Sequence, residues 1–261
     1  MDLPSAGAPP EFWDAPGPAG PPDPVVSRWF AAVQVFLVCG IPTQLLVFGA
    51  LVSTGSRMGS DGSMLTVEAS NISLQFFAVA SLLDTALIAI LIRVFLGMSG
   101  ETSREIFLDR RPVMREVIRG IALVPVLWIV VIALISVMTT FVPSLHNVAK
   151  NPLEAYMDTP IKAGVFIIVV ILAGGVREEL QRGFILHRFD QRLGGAWMGL
   201  GVFSVAFGFF HVEQGFDVAI SVGLLGVIWG VLYIRRRSVV AAMVSHAGFD
   251  VAQVLLRSLG T

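Results

Sequence analysis

IIVVILAGGVREELQRGFIL, residues 167–186, decides how this chain is read. The run is apolar enough for a membrane helix, yet its second half carries Glu178, Glu179 and Arg182. A charge at the centre of a membrane helix costs roughly 2.5–3.5 kcal/mol on insertion scales, so such groups persist where they pair or do chemistry. The next apolar segments continue the pattern. FSVAFGFFH, residues 203–211, ends on His211, and SHAGFD, residues 245–250, carries His246 and Asp250. Acids, an arginine and histidines on neighbouring apolar segments predict one buried polar site built for chemistry.

The composition agrees with a membrane setting. Hydrophobic residues make up 55% of the 261 and charged residues only 14%, against about 25% in a soluble domain. Mean hydropathy is +0.78. The net charge of −1 supplies no basic field for nucleic acid. The single cysteine, Cys39, excludes an intrachain disulfide and a thiolate zinc cluster, and is expected to pack within a helix. Residues 1–27 hold eight of the fourteen prolines and no lysine or arginine, so they read as a disordered tail and not as a secretory signal.

Seven apolar segments come after the tail, at about 28–53, 72–98, 118–142, 161–188, 196–213, 217–234 and 238–257. The predicted fold class is therefore all-α: a polytopic membrane helical bundle of about seven transmembrane helices. The chain divides into the tail, an N-terminal helical part at 28–160 with a basic loop, and a core at 161–257 that holds the polar groups. Basic residues gather in alternate loops: Arg104, Arg110, Arg111 and Arg115 in one, Arg188 and Arg192 in the next, and Arg235, Arg236 and Arg237 in the last. The positive-inside rule puts these loops and the N-terminus in the cytoplasm. The stretch 100–119 mixes apolar and basic residues at helical spacing. It reads either as a helix lying on the inner membrane surface or as an ordinary cytoplasmic connection. Gly195 with Gly199, and Gly226 with Gly230, read as close-packing pairs.

Helical rise places the polar groups at comparable depth. Glu178 lies about 18 Å from residue 190, His211 roughly 22 Å from residue 196 and His246 about 12 Å from residue 238. Glu178 and Glu179 both neighbour Arg182 on a helix surface, at i,i+4 and i,i+3, and His246 and Asp250 share a face. Phe207, one turn before His211, is placed to wall a pocket. His187 points away from Glu178 near a helix end, and His146 falls in an outer loop, so both are expected to be non-catalytic. Asp84, a lone acid in the second span, is expected to pair with Arg177 or Arg182.

The set Glu178-Glu179-x-x-Arg182, Phe207-x-x-x-His211 and His246-x-x-x-Asp250 resembles the CPBP family. This is the CAAX protease and bacteriocin-processing group, which includes the type II CAAX prenyl endopeptidases. The resemblance covers about residues 161–257. It implies an intramembrane endopeptidase acting on a peptide or protein substrate, which can be lipid-modified as in CAAX-type C-terminal processing. By the same resemblance Glu178 is the general base and His211 holds the same water. His246 donates to the tetrahedral oxyanion, assisted by Asp250, while Glu179, Arg182 and Phe207 support the site.

Two departures from the family pattern stand. Arg182 follows Glu178 by four residues where five is usual. If the glutamate pair anchors the comparison, Glu178 is catalytic; if the arginine anchors it, Arg177 takes the catalytic position and the chain is inactive. The intact pair and both histidines favour the first. Asp250 stands where some members have Asn, and an ionised Asp cannot donate a hydrogen bond.

No cofactor is expected. Zinc is disfavoured, because four groups assigned to water and oxyanion leave none free to ligate it. The expected setting is the inner (plasma) membrane of a bacterium, among lipid and without nucleic acid. Two other classes of function remain: a non-proteolytic membrane scaffold or regulator, and a proton-coupled transporter.

Overall fold

The computed structural model describes residues 26–58, 67–68, 71–109 and 111–259. Most of the expected tail, up to residue 25, and Arg110 of the basic loop lie outside these residues.

Among the described residues the regular structure is helical apart from a pair of two-residue antiparallel strands, β1 (Val67–Glu68) with β2 (Asn71–Ile72). The helices are α1 (Arg28–Val38), α2 (Ile41–Met58), α3 (Leu74–Met98), α4 (Ser103–Phe107), α5 (Val113–Phe141), α6 (Pro160–Val169), α7 (Glu179–Arg192), α8 (Ala196–Phe209), α9 (Phe216–Arg236) and α10 (Val240–Leu259). A π-helical stretch, Val170–Glu178, joins α6 to α7, so Pro160–Arg192 runs without a break. Four helical segments are long and apolar enough to cross a membrane: α3, α5, Pro160–Arg192 and α9. A fifth span forms if α1 and α2 count as one, and α8 is a shorter apolar helix. With α10 packed against α5 and the π-helical stretch, the molecule is an all-α membrane bundle of about the expected number of passages.

Local chemistry sets several boundaries. The Ser27 and Ser73 hydroxyls accept from Phe30 N and Phe76 N at 3.1 and 3.2 Å and start α1 and α3. Thr102 and Glu105 cap α4 reciprocally. Thr159 caps α6, with Pro160 at the first helical position.

Three sequence expectations need correction. The first predicted span is broken. Gly40 adopts φ +97, a left-handed conformation that suits glycine, and the chain bends there by 42°. Gln181 Nε2 donates to Val38 O at 2.6 Å, satisfying a carbonyl that the break leaves open. Cys39 therefore sits at the break and not within a helix. The stretch 100–119 is not one surface helix: α4 is a single short turn with Ile106 and Phe107 buried, and α5 starts at Val113, earlier than the expected 118. Gly195 is a turn glycine at φ +98 with open space around it, whereas Gly199, Gly226 and Gly230 do pack, against Phe189, Phe207 and Leu200.

Large apolar residues point outward along α5, with Ile121, Ile129, Ile132 and Val137 all exposed. Outward apolar side chains suit a hydrocarbon solvent, in which the backbone is already satisfied within the helix. The two ends of the bundle differ. At the arginine end, His187 Nε2 and Gln191 Nε2 reach Glu101 Oε1 at 2.6 and 2.7 Å, and Arg188 Nη1 reaches Glu101 Oε2 at 2.6 Å. Arg236 Nε donates to Glu116 Oε2 at 2.7 Å, and Arg237 Nη2 to Asp190 Oδ2 at 2.8 Å. At the other end, His146 Nδ1 meets Asp217 Oδ2 at 2.7 Å, Asn147 Oδ1 accepts from Phe216 N at 2.8 Å, and Asn151 Nδ2 donates to Gln214 Oε1 at 3.2 Å.

Candidate active site

The π-helical stretch builds the site. Its wider turns rotate α7 by about one extra residue, roughly 100°, relative to a continuous α-helix. The stretch holds Gly174 and Gly175 at the contact with α10. A Cβ at position 174 would lie 2.7 Å from Asp250 Oδ2, and one at position 175 would lie 2.5 Å from the Ala247 Cβ. Side chains there would push α10 away and carry His246 and Asp250 with it.

With α10 drawn in, His246 becomes the hub. Its Nδ1 meets Glu179 Oε1 at 2.8 Å, and the same carboxylate oxygen is bonded by Arg182 Nη1. Glu179, Arg182 and His246 are all buried. Fixing Nδ1 as the donor leaves Nε2 as the working nitrogen. It lies 3.8 Å from Glu178 Oε2 and 3.6 Å from Asp250 Oδ2. Trp229 stacks on the imidazole at 3.9 Å between centroids, and its Nε1 donates to Ser245 Oγ at 3.0 Å. Phe207 meets His246 edge-on at 6.3 Å and His211 at 5.0 Å. The Arg182 guanidinium lies over Phe207 at 4.8 Å and over Phe203 and Trp229 at 5.5 Å each, so cation–π contact meets the part of it that Glu179 leaves free.

Glu178 has a different neighbour from the one its spacing suggested. Arg177 Nη2 donates to Glu178 Oε1 at 2.9 Å, and Arg177 Nη1 donates to Asp84 Oδ2 at 2.9 Å. Arg182 pairs with Glu179, so of its two helix neighbours only the i,i+3 partner is bonded to it. Of the two arginines considered for Asp84, Arg177 is the partner. Oε2 of Glu178 is left facing His246.

His211 falls just past α8, in the turn before the 3-10 stretch Val212–Gln214. Its Nδ1 donates to Phe207 O at 2.8 Å, which leaves Nε2 as an acceptor in the neutral ring. Glu178, His211, His246 and Asp250 all line one cavity of about 550 Å³. Apolar walls come from Phe76, Phe77, Phe166, Val169 and Val170. His187 and His146 lie in the polar clusters at opposite ends of the bundle and do not line it. Among the described residues, no three His, Cys, Asp or Glu side chains are arranged to hold a metal ion.

Trp229, Arg177 and Asp84 escaped assignment to the site from sequence. Trp229 lies in an apolar segment without a charged neighbour, so its sequence gave no signal. For Arg177 the signal was its place beside the glutamate pair, and for Asp84 its isolation in an apolar span.

Residues 160–252 match the family model described as Type II CAAX prenyl endopeptidase Rce1-like. This agrees with the CPBP resemblance read from the three motifs. No curated protein and no solved structure matches the chain. The Rce1-like segment begins at the first residue of α6 and ends two residues after Asp250, so it contains the hub, its carboxylates and both site histidines. The family implies a membrane protease, a hydrolase that acts on a peptide or protein substrate. Asp84 comes from α3, outside the Rce1-like segment.

Proposed function

We propose that the chain is a glutamic-type intramembrane endopeptidase in which Glu178 activates water for attack on a peptide carbonyl. The observation that carries this reading is the meeting of Glu178 Oε2 and His246 Nε2 at 3.8 Å on the wall of a mostly apolar chamber that His211 also lines. Water donating one hydrogen to Glu178 and the other to His211 Nε2 presents its lone pair to the carbonyl carbon. Glu178 takes the proton as the carbon–oxygen bond forms. The oxyanion requires a donor, and His246 supplies one from Nε2 as the imidazolium, whose charge Glu179 and Asp250 compensate. Collapse of the tetrahedral intermediate breaks the carbon–nitrogen bond, and Glu178 returns its proton to the leaving amine.

Asp250 has a narrower role than the family comparison implied. Nδ1 of His246 is oriented by Glu179, so Asp250 contributes charge beside Nε2 at 3.6 Å and does not hold the ring. Glu179 and Arg182 are positioning residues. No step is routed through a metal. The apolar walls suit an apolar or lipid-modified segment, as CAAX-type processing would present. The positive-inside rule supports a cytoplasmic position for the arginine-bearing end, in a membrane we take to be a bacterial inner membrane. One observation favours a second reading, a non-proteolytic scaffold or regulator: Arg177 occupies one oxygen of the proposed base at 2.9 Å.

Purified protein incubated with peptide substrates and read by mass spectrometry tests the choice. Release of fragments by wild type, lost in Glu178→Gln, is expected. Equal release by both proteins would remove Glu178 from the mechanism, and no release by wild type under any condition would favour the scaffold.

A further inference from the structure

We infer that Asp84 is a positioning residue for the proposed reaction: it holds the Arg177 guanidinium so that a single arm reaches Glu178, and thereby keeps Glu178 Oε2 open to water. The inference rests on the peptidase reading, which needs an available base beside His246.

Arg177 directly precedes the base and lines the same chamber. Its side chain is only 10% exposed, so water does little to screen its charge. A guanidinium beside a carboxylate favours a two-pronged pair, in which parallel N–H groups take both oxygens. Such a pair would occupy Glu178 Oε1 and Oε2 together and leave neither for water. The observed arrangement differs. Arg177 Nε donates to Ala173 O at 3.1 Å, Nη1 to Asp84 Oδ2 at 2.9 Å and Nη2 to Glu178 Oε1 at 2.9 Å. The guanidinium is planar and rigid, so contacts on two of its edges fix the third. With Nη1 committed to Asp84, Glu178 Oε2 faces His246 Nε2 at 3.8 Å.

Asp84 is held in this place from several sides. It lies in the middle of α3, 3% exposed, within an apolar run where a carboxylate is costly. Thr43 and Gln44 of α2 face the same carboxyl. A Cβ at Gly40 would lie 3.8 Å from Arg177 Nη1, so the break between α1 and α2 packs directly on the junction. An ion pair that served only to join α3 to the π-helical stretch would be complete with Asp84 and Arg177. Here the same guanidinium continues to the base. Position 84 falls outside the Rce1-like segment, so this control over the base comes from the N-terminal helices and not from the matched core.

Full-length protein in detergent is assayed on one decapeptide that wild type cleaves, chosen from a mixed library. The kcat, KM and melting temperature are measured on each preparation. Asp84→Asn frees Nη1 and should lower kcat at least about tenfold per folded molecule, a fraction of what a general base contributes, with KM within about twofold of wild type. Asp84→Asn/Arg177→Met removes both charges, a change that buried ion pairs often tolerate, and should turn over at least about threefold faster than Asp84→Asn alone. Asp84→Ser takes the place of Asp84→Asn if that protein does not fold. A smaller loss of kcat in the single variant, a loss confined to KM, or a double variant no faster than the single one overturns the inference. So does failure of both single variants to fold, which would make Asp84 a scaffold residue only. Absence of cleavage by wild type instead sinks the peptidase reading, and this inference with it.

Discussion

Glu179 and His246, sixty-seven positions apart, are joined by a 2.8 Å hydrogen bond at Nδ1, and Arg182 clamps the same carboxylate oxygen. The bond makes Nδ1 the donor and turns Nε2 toward the chamber, where Glu178 Oε2 lies 3.8 Å away. The adjacent glutamates are chemically identical in sequence, yet one touches Arg177 and the other Arg182 and His246.

Replacing Glu178 by Gln is expected to lower peptide release by about 10²–10⁴, the usual range for a general base, with little change in melting temperature. Among the described residues its carboxylate accepts a hydrogen bond from Arg177 at 2.9 Å, and its other oxygen lies 3.8 Å from His246 Nε2. Fragment release and thermal unfolding, measured on the same preparation, check this.

Glu179→Gln should behave differently. It weakens one member of a buried charged cluster, and breaking such a pair costs roughly 3–5 kcal/mol. A marked fall in melting temperature, with activity falling alongside folded yield, is expected. A well-folded but inactive Glu179→Gln protein would exchange the roles assigned to the two glutamates.

The histidines divide in the same manner. His211→Ala and His246→Ala should each lose about 10²–10⁴ in rate, as acid–base and oxyanion groups do. His146→Ala and His187→Ala should retain near wild-type turnover per folded molecule, because their partners are Asp217 and Glu101 at the ends of the bundle. Comparable losses in all four variants would mean a general folding effect and remove the case for the site.

Strong chelation should leave most activity intact, and purified protein should hold well under one zinc per chain. In the proposed reaction Glu178 deprotonates the water, so no cation is needed to bring its pKa to about 7. Full loss on chelation, restored by stoichiometric zinc, would redraw Glu178, His211 and His246 as ligands.

Acid should loosen the arginine end. Burial alone would push the Glu101 carboxyl up, but hydrogen bonds and charge from His187 and Arg188 outweigh it and hold the group at about 2, below its ordinary 4.5. A carboxylate depressed on folding stabilises the native state above its unfolded pKa, so this contribution is complete above about pH 4.5 and is lost as pH falls toward 2. Melting temperature measured from pH 6 to pH 3 should fall less steeply for Glu101→Gln than for wild type, from a starting point on the order of 3 kcal/mol less stable.

Composition and motif spacing alone were enough to establish the membrane class, the helical fold and the neighbourhood of the site. Scarce charge and long apolar runs leave few alternatives to helices in lipid, and charged groups inside such runs mark themselves by their cost. Glu178, Glu179, Arg182, His211, His246 and Asp250 were all legible on that ground, as was the separateness of His146 and His187. Periodicity could not resolve features that depend on departures from a regular α-helix. The break at Gly40 and the π-helical turns ending at Glu178 shift the faces that i,i+3 and i,i+4 counting assumes. Packing in three dimensions gave Glu178 to Arg177 and Glu179 to both Arg182 and His246, because these pairings depend on how closely α10 approaches Gly174 and Gly175. The same packing brought Trp229 onto His246 and Asp84 to Arg177, since contacts across helices far apart in sequence leave no local signature in an apolar run.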